Sequence, residues 1–455
     1  MRLVLAVLCL ALAASLSAQD TATHTQIRPA GLRFWTEGFE LNLETLVQFR
    51  LTVQDERGGN DTNGRDFYLF RVPRARLSLY GHIFEPMLQY RVQLNFVRQP
   101  AEFIEVARFR LALGSALNLN AGQDRVVWDW ERRVPGQNLR FVERAYVNEV
   151  FHQDWGKGLW VDGAIGAEAP LLKYWLGVYN GVLRGDNDFR NKDGAQNADS
   201  FTRFVDGEVM VSMRLETQPL GALPTGLGDN RAGEEHGKPQ VAAGVGFNYF
   251  TSGFNDGLLR GDTASVLPAS GRPRTQQETV AFVVDAHGRW YGASLDAAFY
   301  ARMTNFSNRG SNRYSPRGKQ GIGDLFDWGW SIEGGYFILP RELGVFVRVN
   351  ALNADEFWGS DGVVATAGHQ RAIRPDAMEY GLAVNYHFQG DRLKFSLDIN
   401  YVDQQLAYPY DRGFGTGLLG VYNRPPARSG ALGSHPANDD HNVIWIVRLQ
   451  IQWIL

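Results

Sequence analysis

The chain has 455 residues, a formal net charge of −3 and a single cysteine. Near-balanced charge argues against a nucleic-acid partner, and one cysteine rules out a disulfide framework or a cysteine metal site. Mean hydropathy is slightly polar, at −0.27. No stretch beyond the N-terminal segment approaches the ~18 unbroken apolar residues of a membrane helix, which leaves strands as the only means of crossing a membrane.

Met1-Arg2, an apolar run from Leu3 to Leu16 and then Ser17-Ala18-Gln19 read as a secretory signal peptide over 1–18, with Cys9 inside it. Residues 19–38 read as a polar lead-in punctuated by Pro29 and Gly31. From Phe39 the chain alternates. Phe39, Leu41, Leu43, Val47, Phe49, Leu51 and Val53 share one face, and Asn42, Glu44, Gln48, Arg50, Thr52 and Gln54 the other. In the second strand Tyr68, Phe70 and Val72 share a face, Pro73 interrupts, and Ala75, Leu77 and Leu79 resume. That switch predicts a bulge.

Continued, the pattern gives sixteen strands, at 39–54, 67–80, 87–97, 104–114, 117–127, 158–168, 172–180, 204–218, 240–251, 278–288, 290–302, 328–339, 343–351, 378–389, 393–404 and 441–455. The last is fifteen residues of period two, with Val443, Trp445, Val447, Leu449, Ile451 and Trp453 opposite Arg448, Gln450 and Gln452. It exceeds an ordinary globular strand of about 5–6 residues and suits a tilted bilayer crossing of about 9–11. Its free edge requires a partner, and in a membrane that partner is the first strand. Short turns (81–86, 115–116, 169–171, 289, 340–342, 390–392) alternate with long polar stretches (128–157, 181–203, 252–277, 303–327, 352–377, 405–440). This predicts an all-β fold, a closed antiparallel transmembrane β-barrel of about sixteen strands over 39–455, with short periplasmic turns and long extracellular loops. Residues 219–239 break the alternation: either they protrude into the periplasm or a strand is miscounted. Trp160, Tyr174, Trp175, Tyr249, Trp290, Trp328, Trp330, Tyr336, Tyr401 and Trp453 fall near strand ends, as interfacial belts require.

Several motifs resemble the phosphate-selective porin O and P family: Phe70-Arg71-Val72-Pro73-Arg74-Ala75-Arg76-Leu77 with Gly81 after it, Gly122-Gln123, Phe141-Val142-Glu143-Arg144, Tyr174 to Gly181, Gly335-Tyr336-Phe337 and the closing Arg448-Leu449-Gln450. In order they span residues 31 to 455. The resemblance implies a homotrimeric outer-membrane channel that passes small anions such as phosphate through an arginine ladder, narrowed by an inward-folded third loop, here 128–157. Lysine is scarce, with 40 arginines to 6 lysines, and Leu455 stands where such barrels commonly end in an aromatic residue. A GC-rich genome explains the arginine excess as well as a use of its planar fork for oxyanions does.

Strand parity turns Arg50, Arg74, Arg76, Arg91 and Arg448 toward the lumen, since a lipid-facing arginine at mid-depth costs roughly 2–4 kcal/mol. Arg71, Arg74, Arg76 and Arg91 are the candidate anion path. The alternative is that lumen arginines pair with carboxylates such as Glu44 and Asp398 to stiffen the wall. Arg132, Arg133, Arg140 and Arg144 are candidates to ring a constriction, or else are solvated on an outward loop beside Asp129, Glu131 and Glu143. No cofactor, metal or catalytic residue is expected. Gly415 to Gly420 matches a dinucleotide fingerprint without strand–helix context, Gly318-Lys319-Gln320 lacks the Ser/Thr of a phosphate loop, and the histidines lack metal-ligand spacing. The expected function is passive anion diffusion across the outer membrane of a Gram-negative-type cell, with lipid as a partner and no nucleic acid. Rival readings are a general porin, a barrel enzyme and a secreted glycan-binding β-protein.

Overall fold

The computed structural model describes residues 24–28, 31–58, 67–97, 103–152, 155–166, 171–180, 207–223, 239–254, 275–306, 325–353, 357–358, 371–372, 376–405 and 441–454. The segment read as a signal peptide, most of the long loops and Leu455 lie outside them. Sixteen antiparallel strands close into a barrel. In order they are β1 (Phe39–Gly58), β2 (Phe67–Ile83), β3 (Glu85–Asn95), β4 (Ile104–Ala112), β5 (Asn118–Arg125), β6 (Trp155–Ile165), β7 (Leu172–Asn180) and β8 (Gly207–Thr217). The second half comprises β9 (Gln240–Phe254), β10 (Thr275–Trp290), β11 (Ala293–Phe306), β12 (Leu325–Leu339), β13 (Leu343–Asn353), β14 (Ala377–Asp391), β15 (Leu393–Gln405) and β16 (His441–Ile454). Each strand pairs with the next, and β16 pairs with β1 from Asn442 opposite Gly58 to Ile454 opposite Leu46. No sheet edge is left between the chain's two ends. Among the described residues no helix is long and apolar enough to cross a membrane.

Alternation sets the two faces. On β1, Gln48, Arg50 and Thr52 are buried while Val47 and Phe49 are exposed; on β16, Arg448, Gln450 and Gln452 are buried and Ile451 and Trp453 exposed. The polar side chains are thus inside and the apolar ones outside, the inverse of a soluble sandwich. The core of the molecule is the lumen.

The expected bulge is present. Register shifts between Gln48 and Arg50, which face Arg74 and Arg71, so Phe49 opposes both Val72 and Pro73. Three expectations need correcting. The turn placed at 289 sits at Tyr291-Gly292, whose φ values of 45° and 77° are those of a two-residue hairpin. The lead-in is partly strand: His24–Arg28 and Gly31–Thr36 form a hairpin whose second arm pairs with Phe39 to Leu43 of β1, continuing the line of β16. Trp160 and Trp175 face the lumen rather than an outer belt; Trp160 stacks on Tyr179, and Arg133 lies over Trp175. The strand count is right, and of the segment after β8 Leu220 is exposed while Leu223 is buried. Leu223 is buried against Trp130, Val134, Leu139 and Ala242. Residues 224–238 lie outside the described ones.

Candidate functional site: a lumen narrowed by an inward loop

Between β5 and β6 the chain turns into the barrel. It carries a short helix α1 (Trp130–Arg133), a 3-10 turn (Gly136–Asn138) and a second helix α2 (Tyr146–Phe151). Asp129 caps α1 by accepting from the Arg132 amide at 2.6 Å. The first amides of α2, on Tyr146 and Val147, donate to Glu379 of β14 and Asn350 of β13 at 2.8 and 3.2 Å. Wall side chains thus do the capping that the loop sequence lacks.

Apolar packing fixes the loop in place. Trp128, Ala145, Tyr146, Val147, Val150 and Phe151 join Ala281, Val283, Tyr300, Leu352 and Val402 of the wall in one buried cluster. Trp130 stacks on His287 of β10 with centroids 4.2 Å apart. The wall is cut away to receive it. A Cβ on Gly246 would meet the Trp128 carbonyl oxygen at 1.9 Å, one on Gly329 the Val147 side chain at 2.4 Å, and one on Gly381 the Phe141 ring at 2.7 Å.

Polar contacts complete the anchoring. Asp398 accepts from the Val142 amide at 2.8 Å, and Arg302 and Arg348 donate to the Val150 and Glu143 carbonyls. Lys394 donates to the Gln137 and Leu139 carbonyls at 2.7 and 2.9 Å. Of the loop arginines, Arg133 and Arg140 reach wall carboxylates, while Arg132 and Arg144 bond within the loop. Arg140, only 1% exposed, pairs with Asp296 and, at 3.2 Å, with Glu333. Arg133 pairs with Glu216, Arg132 with Glu149 at 3.1 Å, and Arg144 donates to the Val134 carbonyl at 2.7 Å. The alternative of an outward, solvated loop does not hold.

Opposite lies the wall of β2 to β6, which the loop covers less. Because of the bulge, Arg71 and Arg74 share the inner face with Arg76, although an unbroken strand would turn residues three apart to opposite faces. Arg91 on β3 stands directly across from Arg108 on β4, a like-charge pairing that costs energy unless offset. Arg108 is offset by Asp124 at 2.8 Å, Arg110 by Asp162 at 2.9 Å and Arg76 by Glu105 at 2.6 Å. Arg91 donates to Gln93 at 3.0 Å. The Arg71, Arg108 and Arg110 side chains are 45%, 25% and 26% exposed, against 0–4% for Arg214, Arg302 and Arg348 under the loop.

Two carboxylates of the loop, outside the spanning strands, have opposite electrostatics. Burial raises the Glu131 carboxyl and the nearby Glu333 adds to this, pushing it up to about 8. Burial would also raise Glu143, but Arg50, Arg74 and Arg448 outweigh it and hold this carboxyl well below the usual range.

Of the residues expected from the sequence, Arg71, Arg74, Arg76 and Arg91 lie together on the less covered wall, while Arg132, Arg133, Arg140 and Arg144 hold the loop. Arg108, Arg110 and the meeting of Arg50 with Glu143 are additions. The alternation Arg108-Phe109-Arg110 carried the signal for the first two.

The chain matches no protein-family model and no curated protein. Among solved structures it is similar to OmpT, an outer membrane protein of Vibrio cholerae in its trimer form, at 11% identity and a TM-score of 0.45, over 92% of this chain and 100% of that one. The outer membrane channel DcaP of Acinetobacter baumannii follows at 12% identity and 0.45, covering 91% and 97%. OpdO of Pseudomonas aeruginosa is similar at 10% identity and 0.36, covering 91% and 97%.

Proposed function

We propose that the protein is an outer-membrane channel through which small anions diffuse passively, with phosphate as the candidate solute and a homotrimer as the assembly. The observation that carries this is the charge of the less covered wall. Arg71, Arg74, Arg76, Arg91, Arg108 and Arg110 face the lumen there against Glu105, Asp124 and Asp162 of the wall and Glu143 of the loop. In such a passage guanidinium groups replace part of an anion's hydration, and several weak sites in series keep release fast. The motif resemblance to phosphate-selective porins supports the solute and the trimer. A second reading, a general porin without phosphate preference, is favoured by the pairing of Arg76, Arg108 and Arg110 with carboxylates.

The test is the reversal potential of the purified protein in a planar bilayer under a potassium chloride gradient. We expect anion preference, reduced several-fold by Arg71→Gln together with Arg91→Gln. Cation preference, or a potential unmoved by the pair, would refute the reading. Inhibition of chloride current by millimolar phosphate separates the phosphate channel from the general porin.

A further inference from the structure

Three guanidinium groups converge on one carboxylate of the inward loop. Glu143 pairs through Oε1 with Arg50, accepts through Oε2 from Arg74 at 3.3 Å, and stands 3.8 Å from Arg71. Two of the three are held ready by amide side chains. Arg50, fully buried, donates to Gln450 Oε1 from Nε at 3.1 Å and from Nη2 at 2.8 Å, and Arg74 donates to Gln48 at 2.8 Å. Arg71 is 45% exposed and lies beyond hydrogen-bond reach of the carboxylate, and the Glu143 side chain itself is 28% exposed. Nearby Arg448 is balanced by Asp398 at 2.8 Å. The cradle therefore holds three positive charges against one negative.

A carboxylate with two oxygens shared among arginines is the chemical likeness of a small oxyanion. It is tethered to a loop and partly open to the passage, and the charges around it exceed its own by two. We propose that Arg50, Arg71 and Arg74 form a site for a doubly charged tetrahedral oxyanion, and that Glu143 is its resident competitor, setting the channel's anion affinity. A mobile dianion would draw in Arg71 and share or take the place of the carboxylate, and on its departure Glu143 would refill the cradle. This assignment rests on the channel reading for its use, though not for its test.

The experiment is titration calorimetry of inorganic phosphate into the purified full-length barrel in detergent, with folding checked by heat-modifiable gel mobility. Glu143→Gln should bind phosphate at least tenfold more tightly than the wild type, and Arg71→Gln in that background should abolish the gain. Glu143→Asp, which keeps the charge, should stay within about threefold of the wild type. Equal affinity of folded wild type and Glu143→Gln would overturn the proposal. Should Glu143→Gln not fold, Arg71→Gln alone decides: several-fold weaker phosphate binding than the wild type supports the site, and unchanged binding overturns it. Because calorimetry needs no ion flow, tighter binding by Glu143→Gln in a barrel lacking anion-selective current would keep the site and refute the channel.

Discussion

Many charged residues of this lumen are halves of buried pairs, so the effect of a substitution depends on what it leaves behind. Asp398 illustrates this. It is fully buried, receives Arg448 on one oxygen and the Val142 amide on the other. Arg448→Met should therefore destabilise the barrel by about 3–5 kcal/mol, the usual cost of leaving a buried charge alone. Adding Asp398→Asn should recover most of it; urea unfolding midpoints of the single and double variants check both. The loop carboxylates divide by pH in opposite senses. Glu143 is depressed, so its ion pairs contribute fully above the ordinary carboxylate pKa of about 4.3 and are lost only as pH falls through a much lower value. Glu131 is raised, so stability falls as pH rises from about 4.3 to about 8 and levels off beyond. Glu131→Gln, a mimic of the protonated form, should raise stability at pH 7 and flatten the slope over that window, measured as unfolding midpoint against pH.

For a whole element, the inward loop, the wall contributes as much as the loop sequence does. Gly381 leaves space for the Phe141 ring, and Lys394 holds two loop carbonyls. Gly381→Leu should displace the 139–143 segment, and Lys394→Met should free its 137–139 end. On the channel proposed above, both should raise single-channel conductance, which bilayer recordings report. The strands themselves were legible because a polar lumen and an apolar exterior enforce period two, and the Pro73 bulge because proline cannot serve the ladder. The 24–36 hairpin was not, since two short arms offer too few alternations to stand out from a polar lead-in. The loop's Trp128 and Trp130 hinted that it would be covered, yet the partners of its arginines were hidden. Arg140 meets Glu333, 193 positions away, and Lys394 meets the Leu139 carbonyl across 255. Local sequence holds no record of contacts across a lumen. The facing of the strand arginines was more legible than the placement of the loop arginines, because parity decides which way a strand residue points and nothing comparable governs a loop.

The molecule as a whole has an inverted plan: charge in the middle and hydrocarbon-like side chains around it. Phe282 on β10 is half exposed on the outer face beside Phe247. Phe282→Arg should cost roughly 2–4 kcal/mol if it lies near the membrane midplane. That loss should be read from unfolding in lipid vesicles, where an outward arginine has no water to meet. An arginine substituted there in a soluble sandwich would have cost little.

The place where the two termini of the barrel meet has a consequence for biogenesis. Arg50 of β1 reaches Gln450 of β16, and the same guanidinium bonds to Val142 and Glu143, while Arg448 of β16 and Val142 meet on Asp398 of β15. The seam is riveted from within by a segment made when only five of the sixteen strands have been synthesised. A cylinder zipped shut while still hollow would keep the Arg50–Gln450 and Arg448–Asp398 contacts but leave Arg50 without Glu143 and Asp398 without the Val142 amide. Strand closure and loop docking therefore reinforce one another at this seam.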